Sequence, residues 1–193
     1  HNLYKELLNF CTVDLSAFYF DIRKDTLYCD PLSSQKRKST LLVLNIILQC
    51  LLKWFAPILS FTTEEIYQLV SKKKNSIHLE NFLNVPKKFE NLELNEKWSQ
   101  LLKIRDVCNL SIEEKRASKE IGSSLEAAIT IKINKQKLKI LENIDFSELC
   151  ITSLAEIKFH DTDEIDVQTN KAQGNKCPVC WKISEEPCQR HGH

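Results

Sequence analysis

Two ligand-type pairs, Cys177-Pro-Val-Cys180 and Cys188-Gln-Arg-His191, stand seven residues apart within the last seventeen residues of the chain. A pair spaced by two residues forms a tight knuckle with both side chains aimed at one centre, and two such knuckles can close tetrahedrally on one metal ion. Three thiolates and an imidazole suit zinc, which is borderline-soft and has no redox chemistry of its own. Side chains fill all four positions, so no open catalytic position is left. The set reads as one structural staple for a terminal module too short to build its own core. The candidate ligands are Cys177, Cys180, Cys188 and His191, with His193 as an alternative fourth ligand.

Two rival readings of these residues fit less well. Cys-Pro-x-Cys also occurs in disulfide oxidoreductases, where a strand precedes it and a long helix follows, but only thirteen residues follow Cys180. A DNA-reading finger needs about twelve residues between its ligand pairs to hold a recognition helix, and seven cannot do this. Trp181 follows the second ligand directly, between Lys176 and Lys182, and Arg190 lies inside the second pair. An aromatic on a rigid knuckle beside cations can stack on an unpaired base while the cations meet phosphates. It can equally pack against the knuckle as a small core, and the two roles are not exclusive.

The rest of the chain is globular in character. At 193 residues and 42% hydrophobic content it suffices for one large domain or two to three small ones with a real core. Cys11, Cys29, Cys50, Cys108 and Cys150 stand singly among apolar residues, as reduced core cysteines do, which implies a reducing cytosol. No signal peptide opens the chain. The lack of methionine and the helix-like start at His1-Asn-Leu-Tyr-Lys-Glu-Leu-Leu read as a piece of a longer polypeptide. The longest apolar run, Leu41 to Leu59, is interrupted by Asn45, Gln49, Lys53 and Pro57, so a buried core helix is expected rather than a membrane span. Residues 1–140 carry 22 Lys and Arg against 16 Asp and Glu, and residues 141–193 carry five against ten. Polyanion binding must therefore rest on local patches.

The hydrophobic pattern predicts a mainly α fold: a helical bundle, a small α+β subdomain and the terminal zinc knuckle. Residues 1–75 form the bundle, with Asp14 capping a break between two helical segments and the helix from about Gln35 to Phe55 at its centre. Thr62-Thr-Glu-Glu65 reads as a capping box, and Lys72, Lys73 and Lys74 suit the far end of that helix. Residues 76–94 are a linker or crossover. Residues 95–172 start with a long helix capped by Asn95, its face marked by Trp98, Leu101, Leu102, Arg105, Cys108 and Ile112. The period changes at Ile129, Ile131 and Ile133 to that of a half-buried strand. A helix from Lys135 to Ile144 and strands near Cys150–Phe159 and Glu164–Thr169 follow, and residues 173–193 form the metal module. Two basic clusters, Arg23-Lys24 and Lys36-Arg37-Lys38, flank the loop at Pro31. They read either as solvated helix ends or as a phosphate-contact surface. Three glycines cannot build a phosphate loop, and no nucleophile constellation appears, so catalysis by this chain alone is not expected.

Several stretches resemble one family. Leu15-Ser-Ala-Phe-Tyr-Phe-Asp-Ile-Arg-Lys-Asp-Thr-Leu-Tyr28-Cys-Asp is similar to the anticodon-binding region of bacterial isoleucyl-tRNA synthetases, and Ala56-Pro-Ile-Leu-Ser-Phe-Thr-Thr-Glu-Glu-Ile-Tyr67 to the helix pair that follows it. Arg105-Asp-Val, Ile121-Gly-Ser-Ser-Leu-Glu-Ala127 and Lys176-Cys-Pro-Val-Cys-Trp-Lys182 resemble the junction and the C-terminal zinc module of the same family, in the same order. The helical block is shared more loosely by valyl-, leucyl- and methionyl-tRNA synthetases. The family's second ligand pair is usually Cys-x-x-Cys, against Cys188-Gln-Arg-His191 here. Its catalytic signatures, a His-Ile-Gly-His-like motif and a Lys-Met-Ser-Lys-Ser-like loop, are absent, as is any stretch like its editing domain.

The resemblance implies a C-terminal, tRNA-recognising part of a class I synthetase, cytoplasmic and monomeric, with one structural zinc ion. The partners it implies are the anticodon stem-loop of the isoleucine tRNA and the catalytic body of the same polypeptide, which would use ATP to ligate isoleucine to the tRNA. By the same resemblance, Trp181 with Lys176, Lys182 and Arg190 would approach the anticodon loop, and Arg23, Lys24, Lys36, Arg37 and Lys38 the backbone. The alternative is a zinc-stapled structural or protein-interaction module without specific RNA binding, which the acidic balance of residues 141–193 favours.

Overall fold

The computed structural model describes residues 2–71 and 75–191, the Lys88 side chain excepted. Lys72, Lys73 and Lys74, assigned above to a helix end, and His193, the alternative ligand, lie outside the described residues. The fold is mainly helical with a small sheet, and it divides into two compact units, residues 1–29 with 91–193 and residues 30–90.

The first unit opens with a continuous helical run: α1 (Asn2–Asn9), a π-helical stretch (Phe10–Phe20) and α2 (Asp21–Cys29). The expected break at Asp14 is not there. Leu7, Leu15 and Ile22 are all buried and keep one face inward across the predicted boundary, so no change of direction is required, and Asp14 stays exposed in mid-run. The long helix α5 (Leu92–Ala117) starts earlier than expected. Its cap is Asn91, whose side chain accepts the Leu94 N–H at 2.9 Å, while the Asn95 N–H is already bonded to the Asn91 carbonyl within the first turn.

Leu101, Ile104, Cys108 and Ile112 of α5 are buried in one cluster with Ala127, Ile129, Ile131 and Ile133 of β1 (Ala127–Ile133). Buried and half-buried residues alternate strictly along β1, the period-2 pattern of a strand with one face in the core. β1 is the middle strand. β2 (Leu154–Phe159) pairs with it in parallel and β3 (Asp166–Lys171) antiparallel, so that Ile131 faces Ile157 on one side and Val167 on the other. The crossover from β1 to β2 holds α6 (Lys135–Leu141) and the one-turn α7 (Phe146–Leu149). β2 begins four residues later than expected, because the Thr152 N–H closes a turn onto the Ser147 carbonyl and Ile151 takes a left-handed φ of 56°. Cys108 and Cys150 share this core; the hydrogen bond between their thiols, then burial, push the Cys108 thiol far up, so it is inert at neutral pH.

In the second unit α3 (Gln35–Phe55) packs against α4 (Ser60–Val70) and the Ile77–Leu79 turn around Leu52, Ala56, Tyr67 and Ile77. Ser34 caps α3 by accepting the Arg37 N–H. The expected buried central helix is not what forms. Leu41, Leu42, Val43 and Ile46 are exposed, Leu42 by 62%. Hydropathy reports what a side chain tolerates, not what is available to cover it. Among the described residues α3 alone is long and apolar enough to cross a membrane by length and composition. The capping box at Thr62 is also absent. α4 starts at Ser60, which puts Thr63 in its first turn with its hydroxyl on the Leu59 carbonyl, and Glu64 accepts instead from Ser76 and the Ile77 N–H, tying down the turn that carries Ile77.

Candidate metal centre and nucleic-acid interface

A two-strand hairpin, β4 (Asn175–Lys176) and β5 (Ile183–Ser184), carries the first knuckle in its turn. Strands of two residues leave no period in the sequence, so the hairpin had no legible signal. Gly174 enters it with φ 111°, a conformation that L side chains rarely adopt, and a Cβ there would overlap the Ser184 carbonyl. Gly174→Ala is therefore expected to weaken metal affinity roughly fivefold to a hundredfold, since backbone strain of this kind costs about 1–3 kcal/mol. A competition titration with a chelating dye would read it, and unchanged affinity would mean that the centre does not need the hairpin.

The four predicted ligands converge. The Sγ atoms of Cys177, Cys180 and Cys188 and a ring nitrogen of His191 all lie within 4.8 Å of one another. Cys180 Sγ is 3.8 Å from Cys188 Sγ. His191 Nδ1 is 3.5 Å from Cys177 Sγ and 3.3 Å from Cys188 Sγ. A tetrahedron with metal–sulfur bonds of about 2.3 Å and metal–nitrogen bonds of about 2.0 Å has edges of about 3.8 Å between sulfurs and about 3.5 Å between sulfur and nitrogen. The observed separations fit it, so these residues could hold one metal ion.

The thiols are held differently. Burial pushes Cys177 up, but the N–H groups of Cys180 and Val179 aimed at its sulfur, with the Cys180 thiol and the His191 ring, outweigh this and bring it down to about 6. Burial dominates at Cys180 and pushes it up to about 11. At neutral pH one knuckle sulfur is mostly thiolate and its neighbour mostly thiol. The Cys29 carbonyl, by favouring the protonated ring, pushes His191 above its ordinary value against burial.

The module is seated on α2 and on the α7 region. His191 Nε2 lies 3.1 Å from the Cys29 carbonyl, Arg190 pairs with Asp25, and Cys29 Sγ faces the Val179 carbonyl at 3.6 Å. Lys182 Nζ donates to Ser147 Oγ at 3.1 Å, and the Ile183 N–H donates to Ser153 Oγ at 2.6 Å. Asp145 caps α7. Burial would raise its carboxyl, but the Ser147 hydroxyl, the Glu148 N–H and the Lys182 charge together hold it below the usual carboxylate range. Sequence reading missed Asp25, Cys29, Ser147 and Ser153, because these partners lie 30 to 165 residues from the module groups they meet.

The candidate RNA-contact residues fall into two groups. Arg23 makes a 2.7 Å ion pair with Glu148, Arg190 is paired with Asp25, and Lys182 is held by Ser147, so all three already brace the first unit. Arg37 donates to the Asp30 carbonyl at 3.1 Å. Lys24 reaches Asp21 at 2.8 Å, an exposed pair one turn apart, worth little in water. Lys36 and Lys38 are exposed on the first turns of α3. Trp181 does not form a knuckle core. It is 58% exposed, with Lys176 Nζ 5.4 Å above its ring. Its φ of 64° costs a bulky L residue roughly 1–2 kcal/mol. That cost is met by the closed turn beneath it, where the Trp181 N–H bonds the Cys177 carbonyl and the Cys177 N–H bonds the Lys182 carbonyl. The indole is left mostly in solvent on this strained backbone. Beside it opens a cavity of about 370 Å³, walled by Trp181 and Val179 on the knuckle and by Tyr28 and Lys24 on α2.

Comparison with known proteins agrees with this architecture. Residues 1–132 match the model of the anticodon-binding domain of tRNA ligases. The chain is 65% identical to an isoleucine–tRNA ligase of Pelagibacter ubique across 99% of its own length, and 42% identical to that of Bartonella quintana across 94%. An isoleucine–tRNA ligase of Gluconobacter oxydans is 38% identical across 99% of the chain. The chain spans about a fifth of the length of these curated relatives. With a match over more than half its residues and a fold to accompany it, the chain belongs to the anticodon-binding domain family of tRNA ligases.

Proposed function

We propose that this chain is the C-terminal, tRNA-recognising part of a cytoplasmic isoleucine–tRNA ligase, that it holds one structural zinc ion, and that it binds the anticodon stem-loop of the isoleucine tRNA. The observation that carries the reading is Trp181: a large aromatic held outward by a strained backbone, capped by a lysine, at the mouth of a mostly apolar cavity. Such a surface offers a π-face to an unpaired base and a cation to its phosphate. Lys176, Lys24, Lys36, Lys38 and Arg37 then meet the RNA backbone, while Arg23, Lys182 and Arg190 hold the surface in shape. Ligation of isoleucine with ATP belongs to the remainder of the ligase, which is also the intramolecular partner of this monomeric arm. The exposed apolar first half of α3 suits burial against that body, since a patch of this kind marks an interaction site.

Titration of the chain with an anticodon stem-loop bearing the isoleucine anticodon tests the reading. Affinity is expected to fall linearly on a log–log plot against salt, as counterions return to the RNA. Trp181→Ala is expected to weaken binding roughly tenfold to a hundredfold, the worth of one base–aromatic stack, with an unchanged circular dichroism spectrum. Equal affinity for an unrelated stem-loop would remove the specificity. Absence of binding at low salt would favour the alternative, a zinc-stapled protein-interaction module, to which the acidic excess of residues 141–193 and the α3 face also point.

A further inference from the structure

His191 departs from an all-cysteine ligand set, and its two ring nitrogens face different partners. Nδ1 points into the ligand cluster, 3.5 and 3.3 Å from the sulfurs of Cys177 and Cys188. Nε2 points away from it, 3.1 Å from the carbonyl oxygen of Cys29. Cys29 is the last residue of α2. A neutral imidazole carries one N–H and one lone pair. If the proton sat on Nδ1, a lone pair at Nε2 would oppose the carbonyl and that contact would be repulsive.

We propose that His191 links metal occupancy to the position of the α2 C-terminus: with Nδ1 committed to a metal ion, the ring must carry its proton on Nε2, and that N–H holds the Cys29 carbonyl. The proposal rests on the metal reading of the four-residue cluster and goes beyond it, since a cysteine at the same position would serve as a ligand but would have no second arm. Arg190, adjacent to His191, reinforces the arm by pairing with Asp25 one turn back along α2. Tyr28 sits between these two anchors and forms the cavity wall across from the knuckle that bears Trp181. His191 is thus a positioning residue. It sets the spacing between the α2 and knuckle walls of the cavity according to whether the centre is loaded, and an all-cysteine centre would leave that spacing to the Arg190–Asp25 pair and the Cys29 Sγ contact with the Val179 carbonyl.

The test is hydrogen exchange of the Asp21–Cys29 segment in the 193-residue chain, with zinc and after chelation, in wild type and His191→Cys, with zinc content measured in parallel. In wild type, zinc is expected to slow exchange in the last turn of α2 about tenfold, the equivalent of one hydrogen bond. His191→Cys is expected to keep one zinc per chain while its α2 exchange no longer responds to zinc. The same zinc response in both proteins, or none in wild type with zinc bound, would overturn the proposal. Failure of wild type to take up any metal would instead overturn the underlying metal reading. Should the variant lose its metal, long-range ¹H–¹⁵N correlations of the wild-type His191 ring decide. A metal-bound Nδ1 with a slowly exchanging Nε2–H supports the linkage, and the opposite tautomer overturns it.

Discussion

Chelation of the metal, or replacement of Cys177 or Cys180 by Ser, is expected to unfold residues 173–191 while leaving the three-stranded sheet and α5 intact. The module has almost nothing else to hold it. Between Gly174 and His191 the buried residues among those described are Cys177 and Cys180, both candidate ligands, and its two strands are two residues long each. A segment with so little buried apolar surface cannot offset the entropy of ordering its backbone. By analogy with zinc-finger peptides, a zinc ion bound here would contribute an apparent binding free energy of about 10–16 kcal/mol, which in such a module is folding free energy. The readouts are loss of the Trp181 near-ultraviolet signal and loss of exchange protection at the Trp181 and His191 amides, which now bond the carbonyls of Cys177 and Cys188. The direction with pH follows from the thiols. Because Cys180 is held up at about 11, a metal ion entering at pH 7 must displace its proton, so affinity falls as pH falls, by about tenfold per unit for each proton released. A chelated protein that kept its Trp181 signal and its exchange protection would show that the module stands on its docking contacts alone.

The convergence of Cys177, Cys180, Cys188 and His191 was legible in the sequence because each knuckle pair is local: two residues between the members fixes their geometry almost regardless of what surrounds them. Strand β1 was legible for a similar reason, since Ile129, Ile131 and Ile133 record its inward face at period two. What surrounds the site was not. Asp25, Cys29, Ser147 and Ser153 are ordinary residues until the fold brings α2 and α7 against the knuckle, and nothing in the Cys188–His191 spacing tells which ring nitrogen faces the sulfurs. Asn91 and Asn95 are equally good caps by type, and only the bond from the Asn95 N–H to the Asn91 carbonyl distinguishes them. The ion pair that Arg23, an expected phosphate contact, makes with Glu148 has the same origin, because Glu148 lies 125 residues away in the chain. α3 is the instructive failure. Its composition matched a buried helix, but among the described residues of 30–90 the apolar cluster that α4 and the Ile77 turn make with it lies at its second half, around Leu52.

That contrast between two apolar helices yields the second large effect. Leu101→Ala in α5 is expected to destabilise the first unit by about 2–5 kcal/mol, because it removes buried methyl groups and leaves a cavity that a packed interior closes only in part. Leu101 is fully buried, in the cluster that joins α5 to Ile129 and Ile131 of the central strand and to Leu149 of α7. Neither helix nor strand can shift inward alone. β1 is held on both edges by β2 and β3, and α5 is fastened at Arg105, whose Nε donates to the Leu149 carbonyl at 2.9 Å. In a unit of this size each kcal/mol moves the melting temperature by roughly 2–4 °C, so a drop on the order of 10 °C is expected by calorimetry. Leu42→Ala in α3 removes the same atoms from a position that is 62% exposed, and it is expected to change stability by less than about 0.5 kcal/mol. Equal losses from the two substitutions would contradict the packing described for both helices. If Leu42→Ala proved silent in this chain yet costly in a full-length ligase, the difference would measure what the remainder of that enzyme lays over α3.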